Sequence, residues 1–138
     1  MPPTGTPPGP VVVECTVNIP VADPTLIVDE ADNNGIPIVT HLSDVSDGNT
    51  CPEVITRTYR ITDACGNVTD VTQLITVHDL TAPVFAAPPG AVTVDCIGYV
   101  PVMTNLGYTD NCDAPGNVTG VDGALVGGSC GGTITRTW

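Results

Sequence analysis

Glu53-Val54-Ile55-Thr56-Arg57-Thr58-Tyr59-Arg60-Ile61-Thr62 alternates with the period of two that marks a β-strand. Val54, Thr56, Thr58 and Arg60 fall on one face, and Ile55, Arg57, Tyr59 and Ile61 on the other. β-branched and aromatic residues dominate, as a pleated surface favours. Neither face is purely apolar, so Arg57 is expected at a sheet edge or paired with a carboxylate.

Working outward, the middle of this strand returns seventy-nine residues later, as Ile134-Thr135-Arg136-Thr137-Trp138 after Ile55-Thr56-Arg57-Thr58-Tyr59. Upstream, Pro7-Pro8-Gly9-Pro10-Val11-Val12-Val13-Glu14-Cys15 returns as Pro88-Pro89-Gly90-Ala91-Val92-Thr93-Val94-Asp95-Cys96, an offset of eighty-one. A unit of about eighty residues thus occurs twice, and a fixed period of this kind marks an array of structural repeats. Copy one runs on past Tyr59 through Asp63-Ala64-Cys65-Gly66-Asn67 and Gln73-Leu74-Ile75-Thr76-Val77, whereas copy two reaches Trp138, the position equivalent to Tyr59. The second module is therefore expected to be incomplete at its C-terminus, truncated or completed by another chain. Strands are expected at 11–17, 25–30, 36–43, 53–62 and 71–78, then at 91–97, 104–109, 117–122 and 132–138. Pro37 suggests an edge strand or strand start. Residues 1–10 read as a Pro-rich linker, residues 11–80 as module one and residues 81–138 as module two. Many short strands at this spacing predict an all-β chain of tandem immunoglobulin-like sandwiches built from antiparallel sheets.

Fifteen acidic residues face three arginines and no lysine, for a net charge of −12. Such a surface excludes a nucleic-acid interface, which needs Lys and Arg against phosphate. Six cysteines in a small β-rich chain favour an oxidising compartment. No apolar run approaches the roughly 18 residues of a membrane-spanning helix. Met1-Pro2-Pro3-Thr4-Gly5-Thr6 has neither the basic region nor the apolar core of a signal peptide, so an extracellular protein would here be a mature form or a fragment.

Several segments together resemble a known family: Val-Glu-Cys (13–15), Asp-Asn-Cys (110–112), Cys51-Pro52-Glu53-Val54-Ile55-Thr56-Arg57-Thr58-Tyr59 and Asp63-Ala64-Cys65-Gly66-Asn67. This set is similar to the hyalin-repeat-like (HYR-like) modules of immunoglobulin fold, strung in tandem in large bacterial surface and secreted proteins. The resemblance implies an extracellular β-sandwich used for spacing, adhesion or assembly. It implies no catalysis and identifies no ligand.

Aligning the copies gives four cysteine slots: Cys15/Cys96, Asn33/Cys112, Cys51/Cys130, and Cys65 with no counterpart. If successive strands alternate in direction, slots one and three share one end of the module and slots two and four the other. Cys51 and Cys65 flank a ten-residue strand, which at ~3.3 Å per residue holds them far beyond disulfide reach. Cys15–Cys51 and Cys96–Cys130 disulfides follow. Cys65 and Cys112 remain, either as a buried free thiol and a truncation effect, or as an intermolecular staple between neighbours.

Acidic residues gather at strand ends: Asp29, Glu30, Asp32 and Asp63 at one end of module one, with Asp44 and Asp47 at the other near Asp79. Asp110 and Asp113 occupy the corresponding place in module two. Carboxylates converging near a module junction suit Ca²⁺, which takes six to eight oxygens in flexible geometry. The competing reading is that these are turn residues hydrogen-bonding their own backbone.

His41 and His78 sit in strand-like contexts with no nucleophile motif such as Gly-x-Ser-x-Gly, and a non-catalytic protein is expected. Five aromatics, Tyr59, Phe85, Tyr99, Tyr108 and Trp138, form no evident planar cluster for sugar stacking, and Tyr59 and Trp138 share a core position. Asn67-Val68-Thr69 and Asn117-Val118-Thr119 match glycosylation acceptors. Two function classes stand: a structural repeat of a surface filament or stalk, assembling with copies of itself head-to-tail or by strand donation, and an adhesin module binding a glycan or host protein.

Overall fold

The alternation of residues 53–62 is realised in full. In the computed structural model, which describes residues 1–128 and 130–138, Ile55, Arg57, Tyr59 and Ile61 are buried while their neighbours are half-exposed. The chain is all-β and divides into two compact units, Met1–Leu80 and Thr81–Trp138.

In the first unit, β1 (Val11–Val13), β2 (Ile38–Ser46), β3 (Glu53–Thr62) and β4 (Val68–Val77) form one sheet in the order β1-β4-β3-β2. β3 and β4 make a ten-residue antiparallel hairpin, with Ile55 opposite Ile75 and Tyr59 opposite Val71. Its turn is written in the sequence. The Asp63 carboxylate accepts from the backbone N–H groups of Cys65 and Asn67, and Gly66 takes the positive φ of 84° that other residues avoid. A bulge at Leu42 shifts the β2–β3 register, which places Asp44 rather than Ser43 opposite Arg57.

One sheet face is covered by irregular extended chain, which makes the second layer. Ile27, Tyr59 and Ile61 pack with Ala22, Val39 and Val71. Ile55, Ile75 and Val77 pack with Val11, Val13 and Ile19. Each fully buried aliphatic side chain among them contributes about 1.5–3 kcal/mol by leaving water. Residues 1–10 belong to this layer and do not form the linker expected from their composition. Pro3 is fully buried, Thr4 and Ala31 form an antiparallel bridge, and Thr69 and Gln73 donate to the carbonyls of Pro3 and Gly9. Gly5 lies so close that an added Cβ would come within 2.6 Å of Ile61 Cδ1.

Two further expectations change. β1 runs parallel to β4, so the sheet is mixed. The expected strand at 25–30 is a one-turn 3-10 helix at Pro24–Leu26 followed by irregular chain. Asp23 caps that turn and Pro24 starts it, and these local signals override the β-prone composition.

The second unit has a three-stranded sheet of β5 (Val84–Phe85), β6 (Leu106–Thr109) and β7 (Gly116–Val118), in sequence order. β8 (Val121–Asp122) pairs with β11 (Arg136–Thr137), and β9 (Val126–Gly128) with β10 (Gly131–Thr133), both antiparallel. The expected strands 117–122 and 132–138 are thus each divided, and 91–97 is not a strand. β1, the counterpart of 92–94, is a strand because β4 pairs with it. Among the described residues of the second unit, nothing takes that place.

Candidate functional site

Arg57 shows how a buried charge is accommodated. Its Nε and Nη2 donate to the two carboxylate oxygens of Asp44, both at 2.9 Å, and its Nη1 donates to the Pro20 carbonyl at 2.9 Å. Such a bidentate fork is the strong form of the ion pair. Hydrogen bonding from Arg57 outweighs the opposing effect of burial and, with a smaller contribution from His41, holds the Asp44 carboxyl down to about 2 from its ordinary 3.8. His41 Nε2 lies 2.9 Å from Asp44 Oδ1. Of the two roles expected for Arg57, pairing with a carboxylate is the one it plays.

The second unit repeats the arrangement. Arg136 Nε and Nη2 donate to Asp122 at 2.6 and 3.0 Å, and Nη2 also donates to the Pro101 carbonyl at 2.9 Å. Cys15 precedes a 3-10 turn at Thr16–Asn18, and Cys96 one at Ile97–Tyr99, closed by matching backbone hydrogen bonds. Tyr59 Oη accepts from the Asp23 N–H, while Trp138 Nε1 donates to the Thr104 carbonyl, eighty-one residues on from Asp23. The same backbone position is held in both units by groups of opposite hydrogen-bond polarity. This clamp was legible in the sequence only as a repeated arginine. Its acid partner was not, because the bulge at Leu42 decides which residue faces it.

Four of the six cysteines, Cys51, Cys65, Cys96 and Cys130, are exposed free thiols, and Cys15 and Cys112 are disulfide-bonded. The expected Cys15–Cys51 bond is not formed. Both residues do lie at one end of the sheet, since Val13 and Glu53 each pair with Val77. They pair with it from opposite sides, however. β4 therefore separates the two ends by about two strand spacings, ~9.5 Å, beyond the ~7 Å between Cα atoms that a disulfide spans. Cys51 Sγ instead lies 3.6 Å from the Asp79 carbonyl oxygen. Cys96 and Cys130 have no such strand between them, and their sulfurs are 3.6 Å apart, unbonded.

At the other end, the Asp32 carboxylate accepts from the Asn34 N–H, as the Asp110 carboxylate does from the Cys112 N–H. The turn equates Asn34, not Asn33, with Cys112. The Asn34 amide nitrogen is 4.0 Å from Cys65 Sγ, so slots two and four do share an end.

Several of the acidic residues accept from backbone N–H groups, as turn residues do. Asp47 accepts from Asn49 and Val54 backbone N–H groups and from the Asn49 amide, and sits below its ordinary range mainly for that reason. Asp63 is lowered first by the Asn67 side-chain amide, 2.7 Å away. Asp29 is lowered by Thr6, hydroxyl first and then backbone N–H. Asp110 accepts from Cys112 and Asp113 N–H groups in the turn after β6. Asp79 follows β4. Glu30 Oε2 and Asp32 Oδ1 differ. They are buried and accept no hydrogen bond, an arrangement that costs free energy unless a donor or cation completes it. They fit a hard cation, supplying two of the oxygens Ca²⁺ would need.

With this geometry in place, the sequence profile of a family described as "HYR-like domain with 4 cysteines" matches residues 3–77, more than half of the chain. The chain belongs to this family. The matched span starts within the N-terminal segment and ends with β4, the extent of the packed first unit. It carries three cysteines, and Asn34 stands where the turn geometry places the fourth. No curated protein and no solved structure matches the chain. HYR-like repeat domains are generally non-catalytic structural modules, typically extracellular, and the bonded Cys15 and Cys112 agree with that setting. Among the described residues, no helix is long and apolar enough to cross a membrane.

Proposed function

We propose that the chain is a non-catalytic structural repeat of an extracellular surface stalk or filament, assembling with copies of itself. The observation that carries this reading is the clamp made twice, Arg57–Asp44–Pro20 and Arg136–Asp122–Pro101. Both arginines anchor a strand to a loop carbonyl of their own unit, so the repeated charged residues serve architecture, and repetition of architecture is what a spacer requires. Rotary-shadowed or negative-stain images of native material should show strings or fibres with a regular axial repeat. Isolated, unconnected particles at high concentration would sink the stalk reading.

Calcium belongs to this proposal as the stiffening ion. Support comes from Glu30 and Asp32, each with a buried carboxylate oxygen that accepts no hydrogen bond, within a chain of net charge −12. Asp79, Asp110 and Asp113 are the other candidates. Binding to the folded state alone raises stability by RT ln(1 + [L]/Kd), so at a hundredfold excess over Kd the first unit gains about 2.7 kcal/mol. Ca²⁺ titration of Asp32→Asn should show that gain abolished. Melting curves identical with Ca²⁺ and with chelator in the unsubstituted chain would dismiss the ion while leaving the stalk reading intact.

Oxidation of Cys96 and Cys130 completes the proposal. The two thiols would lose two protons and two electrons to a disulfide-class oxidant of the secretory space. Their sulfurs need to close only from 3.6 Å to the bond length of roughly 2.05 Å. Non-reducing peptide mapping of secreted material should return a Cys96–Cys130 crosslink.

A further inference from the structure

Asn34-Gly35 is the one Asn-Gly pair in the chain, and Asp47-Gly48 and Asp122-Gly123 are its two Asp-Gly pairs. In such pairs the backbone nitrogen of the glycine can close a five-membered ring on the Cγ of the preceding side chain. Glycine permits this because it carries no Cβ to obstruct the approach. The fold treats the three pairs differently.

At Asp47 and Asp122 both reacting groups are held. The Asp47 carboxylate accepts from the Asn49 and Val54 N–H groups, and the Gly48 N–H donates to Ser46 Oγ at 3.0 Å. The Asp122 carboxylate takes the Arg136 fork, and the Gly123 N–H donates to the Thr135 carbonyl at 2.8 Å. Asn34 and Gly35 are both exposed. Among the described residues, the Asn34 amide nitrogen has only the Cys65 sulfur as a polar neighbour, 4.0 Å away. Gly35 has a φ of 109°, and an added Cβ there would meet nothing within 4 Å. Gly35 faces Asp32 across the turn as an isolated bridge. No strand backs that pairing, and so little structure opens at low cost. The corresponding turn of the second unit, Asp110-Asn111-Cys112-Asp113, has no glycine after its asparagine.

We propose that Asn34 is a site of spontaneous covalent modification, at which a neutral carboxamide becomes a carboxylate as the protein ages. The Gly35 nitrogen gives its proton to water or hydroxide and bonds to Asn34 Cγ. The Cγ–Nδ2 bond breaks, and Nδ2 takes a proton from water and leaves as ammonia. Water then opens the cyclic imide at either carbonyl. One opening leaves aspartate at position 34, and the other routes the main chain through the side chain as isoaspartate. One water is consumed and one ammonia released, with no oxidant, reductant or enzyme. The new charge arises in the turn where the Asp32 carboxylate already accepts from the Asn34 N–H at 3.0 Å. It also arises beside Cys65, where a like charge disfavours the thiolate, the reactive form of cysteine. Conversion therefore adds charge to this end of the first unit and slows its exposed thiol. Neither calcium nor filament formation is required for it.

The test incubates the full chain at physiological temperature and neutral pH, with chelator, in water labelled with heavy oxygen. Peptide mass mapping should find labelled aspartate and isoaspartate at position 34, matched by released ammonia and faster at mildly alkaline pH. The same chain unfolded in urea gives the reference rate for each pair. Folding should slow Asp47 and Asp122 at least about tenfold, and Asn34 by less than about threefold. Gly35→Ala should slow conversion at least about tenfold, which is about 1.4 kcal/mol of barrier. Because alanine resists a positive φ and can disturb the turn, Asn34→Gln is the second arm. Its ring would need six members, and it should release no ammonia over the same period. Asn34→Asp should slow alkylation of Cys65 about two- to fivefold, with Cys51 unchanged. Slowing of Asn34 by folding as strong as that of Asp47 and Asp122 would overturn the proposal. Unchanged Cys65 alkylation in Asn34→Asp would overturn the effect assigned to the new charge.

Discussion

Removing the Asp44 carboxylate isolates the energetic role of the clamp. Arg57 cannot shed its charge, and its side chain is only 4 % exposed against 35 % for Asp44. Asp44→Ala therefore leaves a guanidinium in the interior that has lost both carboxylate acceptors and keeps the Pro20 carbonyl. Breaking a buried pair from one side costs about 3–5 kcal/mol. Water entering where the half-exposed Asp44 stood lowers this, and about 2–3 kcal/mol is expected. For a unit of this size that corresponds to a fall in Tm of about 10–20 °C. The second unit provides an internal comparison. Arg136 is 22 % exposed and Asp122 41 %, so Asp122→Ala belongs with surface pairs and should cost far less than Asp44→Ala. Urea unfolding at pH 7 followed by circular dichroism, with fluorescence of the single tryptophan as a reporter of the second unit, separates the two effects. The double variant Arg57→Met/Asp44→Leu should recover most of the loss, because no uncompensated charge remains. If Asp44→Ala and Asp122→Ala are equally mild, or if the double variant is worse than Asp44→Ala, the argument from the buried guanidinium is wrong.

Two further outcomes are expected. Asp44 is depressed in the folded state, to about 2 from 3.8. Its contribution is thus present above the unfolded value and disappears as pH falls through the folded one. Stability of the first unit should drop between pH 4 and 2, and Asp44→Asn should flatten that drop; an equally steep acid limb in the variant would assign it to other carboxylates. Asn34→Cys should join Cys65, since the Asn34 amide nitrogen already lies 4.0 Å from its sulfur. Closing the 34–65 loop is worth about 3–4 kcal/mol at most; both thiols remaining reactive after equilibration in oxidised glutathione would refute the turn alignment.

Strand β3 was legible because its period of two is uninterrupted, and the arginine among its inward residues left a sheet edge or an unidentified carboxylate partner as the alternatives. The end of the sheet shared by Cys15 and Cys51 was legible from strand direction alone. Their bond was not formed because direction says nothing of lateral order, and β4 inserts between β1 and β3. The N-terminal segment was misread for a related reason. Its prolines and glycines describe an extended chain but not whether that chain is solvated. The clue was elsewhere, in Gln73, a carboxamide on the buried face of a strand, which needs an acceptor and finds it at Gly9. The cysteine slot was misplaced by one residue because gaps between copies are invisible until the Asp32 and Asp110 turns align them.

The use of the arginines bears on how copies of the chain would meet. All three are engaged as forks: Arg57 with Asp44, Arg60 with Asp70, and Arg136 with Asp122. The remaining twelve acidic residues have no arginine of this chain to pair with, so two approaching copies present like charge to one another. Pairing by complementary side-chain charge is then unavailable between copies. Two attractions do not depend on it, namely backbone hydrogen bonding at an open strand position and a shared divalent cation. They differ in their response to salt. Screening at 0.15 M reaches about 8 Å, so added NaCl should strengthen contacts made by backbone pairing by relieving repulsion. It should weaken those bridged by a cation. Self-association measured by sedimentation at rising NaCl in the presence of chelator therefore distinguishes the two. Assembly that grows with salt and ignores chelator points to backbone pairing, and assembly that collapses in chelator points to the carboxylates.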